Sequence, residues 1–184
     1  MAAHTDGTDD TDGRGRAEQA AARQRRGKVI AMTTAERDDF LTGERVCRVA
    51  TVGADGAPHV SPLWFAWHGG ALWLFSITRS QRWRDLERDP RVSVVVDAGV
   101  DYFELRGVEV TGTAAPVGEN PRGKSGDPDF VDDPDLAAVE QIFADKYMGG
   151  TFYPDGRHAW LKITPEKIAS WDFRKLAALG KGPQ

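Results

Sequence analysis

The chain has 184 residues, a formal net charge of −4 and one cysteine, Cys47. This length fits one domain with a tail, the negative charge gives no general attraction to nucleic acids or anionic membranes, and one cysteine excludes an intrachain disulfide. The sequence has no apolar run near the roughly 20 residues of a membrane-spanning helix and no signal-peptide core at its N-terminus. We therefore expect a cytoplasmic protein without a membrane partner.

The N-terminal region is predicted to be a disordered tail, because Asp, Thr, Gly, Ala and Arg predominate and large apolar residues are scarce. Its basic end, residues 23–28, has no aromatic residues for base stacking, so a solvated tail is favoured over a nucleic-acid arm. Folding is predicted to begin at Thr33, whose side chain forms a capping box with Glu36 for a helix to about residue 41. The predicted division is a tail at 1–32, one domain at 33–176 and a C-terminal tail at 177–184.

Alternating and β-branched segments predict an antiparallel sheet. A turn at 53–56 joins predicted strands at 45–52 and 58–67, and Pro62 places the second of these at an edge or a bulge. Gly107 and Gly112 predict bulges or bends. Further strands are predicted at 72–75, 91–96, within 102–117, 158–164 and 167–173, and an amphipathic helix at 135–148. Six to eight strands with a few short helices predict a mainly β (α+β) fold that closes as a small barrel.

The segment after the third predicted strand has an unusual charge pattern. Ser80 is a suitable N-cap for a short helix that ends before Pro90. Arg79 and Arg82 flank the start of this helix, where the helix dipole favours acidic residues instead. Free backbone N–H groups, the hydroxyls of Thr78 and Ser80 and two guanidiniums together predict a phosphate-binding corner. The alternative is that both arginines are solvated surface charges.

An aromatic pair lies just before this region. Trp64 and Phe65 fall on opposite faces of one predicted strand, so one of the two side chains faces away from the barrel interior. An exposed aromatic side chain next to a phosphate corner is typical of a site for a flat ligand or a subunit partner.

Other catalytic patterns are missing. His59, His68 and His158 do not have the spacing of metal ligands, and Cys47 lies in a predicted strand, where burial is favoured over reactivity. The sequence GENPRGKS at 118–125 matches a phosphate-loop pattern, but Gly-Asp-Pro follows where a helix is required, so we reject it. We assign no catalytic side chain and no metal ligand, and expect a cofactor to supply any chemistry.

The segments PHVSPLWF, SITRSQRWRDLERDPRV and VEVTGTA resemble the pyridoxamine 5′-phosphate oxidase-like superfamily of flavin-binding split barrels, over about residues 34–173. The resemblance implies an antiparallel split β-barrel and a homodimer with a flavin at each interface. Arg82 lies where the family binds the flavin phosphate, and Ser80 matches a second phosphate-binding position. Gln81 stands where oxidases often have Arg. The cofactor-binding residues implied are Val60, Ser61, Pro62, Trp64, Phe75, Ser76, Thr78, Arg79, Ser80, Gln81 and Arg82.

The resemblance further implies an oxidoreductase that transfers a hydride to or from a conjugated small molecule. The segment ITPEKIASWDFRKL does not match the Trp- and Arg-containing end of the true pyridoxamine phosphate oxidases. The composition is typical of a high-GC source, so coenzyme F420 is favoured over FMN. Arg106 or Arg157 could orient an anionic substrate. Two alternatives stay open, an FMN protein like the true oxidases and a non-catalytic flavin- or haem-binding split barrel.

Overall fold

A computed structural model describes residues 15, 27–121, 129–178 and 180. The strands in this part of the chain are β1 (Cys47–Val52), β2 (Pro58–Leu63), β3 (Ala66–His68), β4 (Ala71–Ile77), β5 (Arg91–Ala98), β6 (Arg106–Val117) and β7 (His158–Asp172). The helices are α1 (Thr34–Gly43), α2 (Gln81–Arg88), α3 (Leu136–Phe143) and α4 (Arg174–Ala178), with a 3-10 turn at Tyr102–Glu104 and a π-helical turn at Ala144–Met148. Most of the predicted N-terminal tail, at 1–14 and 16–26, lies outside the described residues, as do 122–125 of the phosphate-loop match, the adjoining 126–128, and residues 179 and 181–184 of the predicted C-terminal tail.

The strands form one antiparallel sheet in the order β2-β1-β5-β6-β7-β4-β3. The sheet is curled. The evidence is that β2 and β4, which are far apart in this order, both have side chains that contact Arg82 of α2. The predicted mainly β split barrel is confirmed. The closed barrel is wrong, since β2 and β3 lie at the two edges and are not paired with each other in the described part of the chain. The edge position predicted from Pro62 is confirmed.

Two predicted strand boundaries differ from the structure. The strand expected at 58–67 is divided into β2 and β3, which are separated by Trp64 and Phe65. The two C-terminal strands expected around Pro165 are one continuous strand, β7. The strand continues because Pro165 lies opposite Gly112 at an irregularity in the β6–β7 register, where Glu166 is the extra residue.

Two glycines of β6 make room for β7. A Cβ atom on Gly112 would lie 2.0 Å from the carbonyl oxygen of Thr164, so only glycine fits at this bulge. Gly107 is not at a bulge, because it pairs with Trp171 in continuous register. A Cβ atom there would lie 2.3 Å from Cζ2 of the Trp171 indole, so the ring occupies the missing side chain's place.

The helix caps follow the sequence. The Oγ1 of Thr33 accepts a hydrogen bond from the Glu36 N–H at 3.3 Å, and the Thr33 N–H donates to Glu36 Oε2 at 2.7 Å, which confirms the capping box. Ser80 caps α2 by accepting from the Trp83 N–H at 3.2 Å. The helix predicted at 135–148 is α3 followed by the π-helical turn, which Gly149 ends with φ of 72°.

Apolar side chains form two clusters, one on each face of the sheet. Alternate residues of β4 divide between them. The α2-side cluster contains Leu72 and Leu74 together with Trp83 of α2, and the α3-side cluster contains Trp73 together with Phe143 of α3. No helix among the described residues is long and apolar enough to cross a membrane.

Candidate functional site

Arg82 is directed into the sheet by the start of α2. Ser80 caps the helix, while Trp83 and Leu86 pack into the α2-side cluster. Arg82 is therefore on the inward-facing side of the first helical turn, and its side chain is only 6% exposed. The alternative that both arginines are solvated surface charges is thus wrong for Arg82, whereas Arg79 is exposed.

The Arg82 guanidinium has hydroxyl partners but no acidic one. Its Nη1 donates to Ser61 Oγ at 2.6 Å and its Nη2 donates to Ser76 Oγ at 3.0 Å. Its Nε is buried and has no hydrogen-bond partner. Among the described residues, no carboxylate lies within ion-pair distance of the group. Burial lowers the pKa of Arg82, the direction expected for a cation taken out of water.

The nearest acidic residue of α2 is engaged elsewhere. Asp85 is fully buried and accepts hydrogen bonds from Gln81 Nε2 at 2.8 Å and Thr51 Oγ1 at 2.9 Å. Arg88 and His59 lie 3.6 and 3.9 Å from its oxygens. Burial alone would raise the pKa of Asp85, but these hydrogen bonds and charges lower it below its ordinary value.

The remaining predicted residues of the corner have defined partners. The hydroxyl and the N–H of Thr78 both donate to the Arg157 carbonyl, at 3.2 and 3.1 Å. The Ser80 hydroxyl is used as the cap, which leaves the N–H groups of Gln81 and Arg82 without a hydrogen-bond partner in the described part of the chain. These two N–H groups, with the exposed Arg79, form the open side of the corner.

A cavity of about 450 Å³ lies on the α3 side of the sheet. Its lining residues are Val46, Pro62, Leu63, Trp64, Phe75, Phe143, Met148, Tyr153, Asp155 and His158. Trp64 stacks on Tyr147, with ring centroids 4.6 Å apart and an angle of 7° between the planes. The Tyr147 hydroxyl lies 2.8 Å from the carbonyl oxygens of Arg45 and Phe65, donates to one of them at a time, and accepts from the Phe65 N–H at 3.3 Å, so the wall that Trp64 forms is held in place. Trp64 is 48% exposed and Phe65 fully buried, as their predicted opposite orientation requires.

One end of this cavity holds a hydrogen-bonded Asp–His pair that the sequence reasoning did not identify. His158 Nδ1 lies 2.7 Å from Asp155 Oδ2, and the imidazole stacks on Phe75 at 4.9 Å. Burial alone would raise the pKa of Asp155, but hydrogen bonds from the N–H groups of His158 and Arg157 and from the imidazole lower it to about 2. The signal available in the sequence was Asp-x-x-His at the turn before a strand.

The predicted cofactor residues thus divide between the two sides of the sheet. Ser61, Ser76 and Arg82 meet on the α2 side. Pro62, Trp64 and Phe75 line the cavity on the α3 side. Val60 is exposed on edge strand β2. Of the residues considered for orienting a substrate, Arg157 adjoins His158, whereas Arg106 lies apart, 3.5 Å from Glu44.

Two other kinds of site find no support. No group of three His, Cys, Asp or Glu within the described residues is placed to hold a metal ion. Cys47 is fully buried, which confirms the prediction, and burial raises the pKa of its thiol to about 12. A thiol in this environment is not a nucleophile at neutral pH.

Comparison with known proteins gives a family and a fold. The family model described as pyridoxamine 5′-phosphate oxidase matches residues 33–172. A crystal structure of a conserved hypothetical protein from Mycobacterium tuberculosis is 31% identical, with a TM-score of 0.68 and coverage of 88% of this chain and 95% of that chain. A search among curated proteins gave no match.

Two more distant structures share the fold. An F420 reductase is 24% identical, with a TM-score of 0.51 and coverage of 71% of this chain and 94% of that one. An FAD-binding protein from Mesorhizobium loti is 22% identical, with a TM-score of 0.56 and coverage of 76% and 94%.

Proposed function

The chain belongs to the pyridoxamine 5′-phosphate oxidase family, and from this membership we propose that it is an oxidoreductase that uses a flavin-type cofactor. The cofactor is coenzyme F420 in preference to FMN. The reaction is hydride transfer to or from a conjugated small molecule. The anionic end of the cofactor binds at the start of α2, and the flat acceptor lies in the apolar cavity.

The observation that carries the proposal is the buried charge of Arg82. A buried cation without an anionic partner costs several kcal/mol, and natural proteins retain such a group where a ligand or a reaction uses it. The orphaned Nε of Arg82, the hydroxyls of Ser61 and Ser76 and the free N–H groups at the start of α2 are all donors. A donor set of this kind fits a phosphate group.

The cofactor supplies the hydride chemistry when bound. The chain's residues bind the cofactor, orient it against the substrate and exclude water. Arg82 and the α2 N-terminus hold the anionic end by charge and hydrogen bonding. Phe75 and Trp64 form apolar walls that favour a flat conjugated molecule. Holding the reactants together in a dry cavity accounts for much of the rate that such enzymes gain.

The preference for F420 rests on the high-GC composition and on the C-terminal segment. That segment forms the second half of β7 and α4. The F420 reductase that shares the fold is consistent with this preference but at 24% identity shows the fold alone.

A homodimer is part of the proposal. Val46, Val52, Val60 and Trp64 expose between 40% and 61% of their surfaces around β1, β2 and the segment after β2. An apolar surface at a sheet edge is typical of a subunit interface. A second copy of the chain that covers this edge would also close the open side of the cavity, which Val46 and Trp64 line.

A non-catalytic cofactor-binding protein is the second candidate. It is favoured by the FAD-binding protein that shares the fold and by the lack of a catalytic motif in the sequence. This candidate predicts tight cofactor binding without turnover of any conjugated acceptor.

The test is a fluorescence titration of the purified protein with F420 and, separately, with FMN, followed by a screen of conjugated acceptors with the reduced cofactor. Saturable binding of F420 with turnover supports the proposal. Tighter binding of FMN would reverse the cofactor preference, and binding without turnover would favour the second candidate. Binding of neither cofactor would refute both.

A further inference from the structure

The cavity on the α3 side ends at a polar pair that the proposed function does not use. Asp155 precedes β7 and His158 is its first residue, so the pair is held at the junction of a turn and a strand. The Asp155 carboxylate accepts from two backbone N–H groups, both at 2.9 Å, in addition to its 2.7 Å contact with the imidazole. Phe75 stacks on the imidazole at an angle of 24°. The plane of the ring is therefore fixed from two directions.

This geometry determines which ring nitrogen is available. Because Asp155 is ionised at neutral pH, the Nδ1 that faces it carries the proton and donates to the carboxylate. Nε2 makes no hydrogen bond with the described residues, and the side chain is 25% exposed. Nε2 is thus a proton acceptor in the neutral ring, and Nδ1 can keep its hydrogen bond to the Asp155 carboxylate when Nε2 takes a proton.

The other residues around the cavity leave His158 as its proton-exchanging group. Tyr153, which is 66% exposed, is the other titratable residue in the lining besides Asp155. β4 presents the uncharged Phe75 to the imidazole, and the π-helical turn and α3 contribute Met148 and Phe143 to the wall. An apolar surrounding strengthens the interaction between a charged donor and a developing negative charge.

We propose that His158, positioned by Asp155, exchanges a proton through Nε2 with the oxygen of a neutral, planar, conjugated carbonyl compound bound in this cavity. The proposal rests on the proposed function and names the substrate class and the proton donor for it. Asp155 is a positioning residue. The apolar walls favour a flat substrate that is uncharged when it binds.

Reduction of an enone adds one hydride and one proton. A new C–H bond forms at the β-carbon with the hydride of a dihydroflavin-class reductant, which loses two electrons. The C=C pair shifts toward the carbonyl carbon, the C=O pair becomes the new O–H bond, and the Nε2–H bond of the His158 imidazolium breaks. The enol product returns to the ketone in water, and His158 regains a proton from solvent at its exposed side.

The test uses 4-nitrophenol with the full-length protein and no cofactor, because the phenol and its phenolate have separate absorption bands. At a pH about one unit below the ionisation of the free probe, proton transfer to Nε2 should raise the phenolate-to-phenol ratio of the bound probe about tenfold, the effect of a one-unit shift. His158→Gln should bind the probe as the phenol. Asp155→Asn should reduce the phenolate band while it retains binding. His68→Gln, a histidine outside the cavity lining, is the matched control and should behave as wild type.

Each result decides the proposal. A phenolate band that disappears in His158→Gln, with thermal unfolding unchanged, supports it. Binding as the phenol in wild type, an equal phenolate ratio in His158→Gln, or no saturable binding would each overturn it. Because the probe requires no cofactor, a protein that ionises 4-nitrophenol but binds neither F420 nor FMN would refute the proposed function alone.

Discussion

Replacement of Arg82 by methionine should separate cofactor binding from folding. Methionine fills a similar volume without charge, so no large cavity is left in the α2-side cluster. The variant removes the donors that the proposed phosphate contact requires, while α2 keeps its Ser80 cap. We therefore expect a folded protein with weakened cofactor binding.

The magnitudes follow from the contacts of the guanidinium. Loss of one charge-assisted hydrogen bond to the cofactor should cost about 1.5–3 kcal/mol, or roughly ten- to a hundred-fold in Kd. In the protein without cofactor, two hydrogen bonds to the hydroxyls of Ser61 and Ser76 are lost. The same change removes a buried charge without an anionic partner, a cost of several kcal/mol. Since these effects oppose each other, the free energy of unfolding should change by less than about 2 kcal/mol.

The assay is a fluorescence titration with F420 and FMN, together with urea unfolding of the protein without cofactor. Arg84→Met is the matched control, because Arg84 is on the same helix but is exposed. Unchanged cofactor affinity in Arg82→Met, with the fold intact, would remove Arg82 from the site. A loss of several kcal/mol in unfolding free energy with unchanged affinity would instead assign it a structural role between β2 and β4.

Three further predictions concern packing, pH and assembly. Gly112→Ala should destabilise the protein by about 3 kcal/mol or more in urea unfolding, since the new Cβ would lie 2.0 Å from the Thr164 carbonyl oxygen. Gly43→Ala, with nothing within 4 Å of the new Cβ, should change stability by less than about 1 kcal/mol, and equal effects would contradict the bulge. Burial and then the charge of Arg45 lower the pKa of Lys146 from 10.5 to about 8. Between these two pH values the unfolded chain binds more protons than the folded chain. The free energy of unfolding should therefore rise with pH through this window. Lys146→Met should abolish that rise between about pH 8 and about pH 10.5; a rise of the same size in the variant would exclude Lys146 as its source. Val60→Lys should give a monomer by light scattering if the exposed β2 edge is the dimer interface, and an unchanged dimer would place the interface elsewhere.

Local features of the sequence predicted most of the fold. The capping box at Thr33, the cap at Ser80 and the edge position of Pro62 depend on neighbouring residues, so they can be read directly. The continuity of β7 through Pro165 was not predicted, because it depends on Gly112, more than fifty residues earlier in the chain. The open barrel likewise depends on which strands fail to pair, and strand pairing is a long-range property.

The site was predicted less completely than the fold for a similar reason. The basic residues at the start of α2 and the resemblance identified Arg82, but its burial between Ser61 and Ser76 requires the curl of the sheet. The sequence assigns no role to His158, because the spacing of the histidines does not match a metal site. Its importance depends on the contact with Asp155 and on the cavity, and the cavity walls come from segments far apart in the chain.

The alternation of side chains in strands connects the two halves of the candidate site. On β2, Ser61 faces Arg82 and Pro62 faces the cavity; on β4, Ser76 faces Arg82 and Phe75 faces the cavity. Each strand thus contributes one polar anchor and one apolar wall from consecutive residues. A shift of one residue in the register of either strand would exchange the two. The pairing of β2 with β1 and of β4 with β7 therefore determines both the polar surroundings of Arg82 and the apolar character of the cavity.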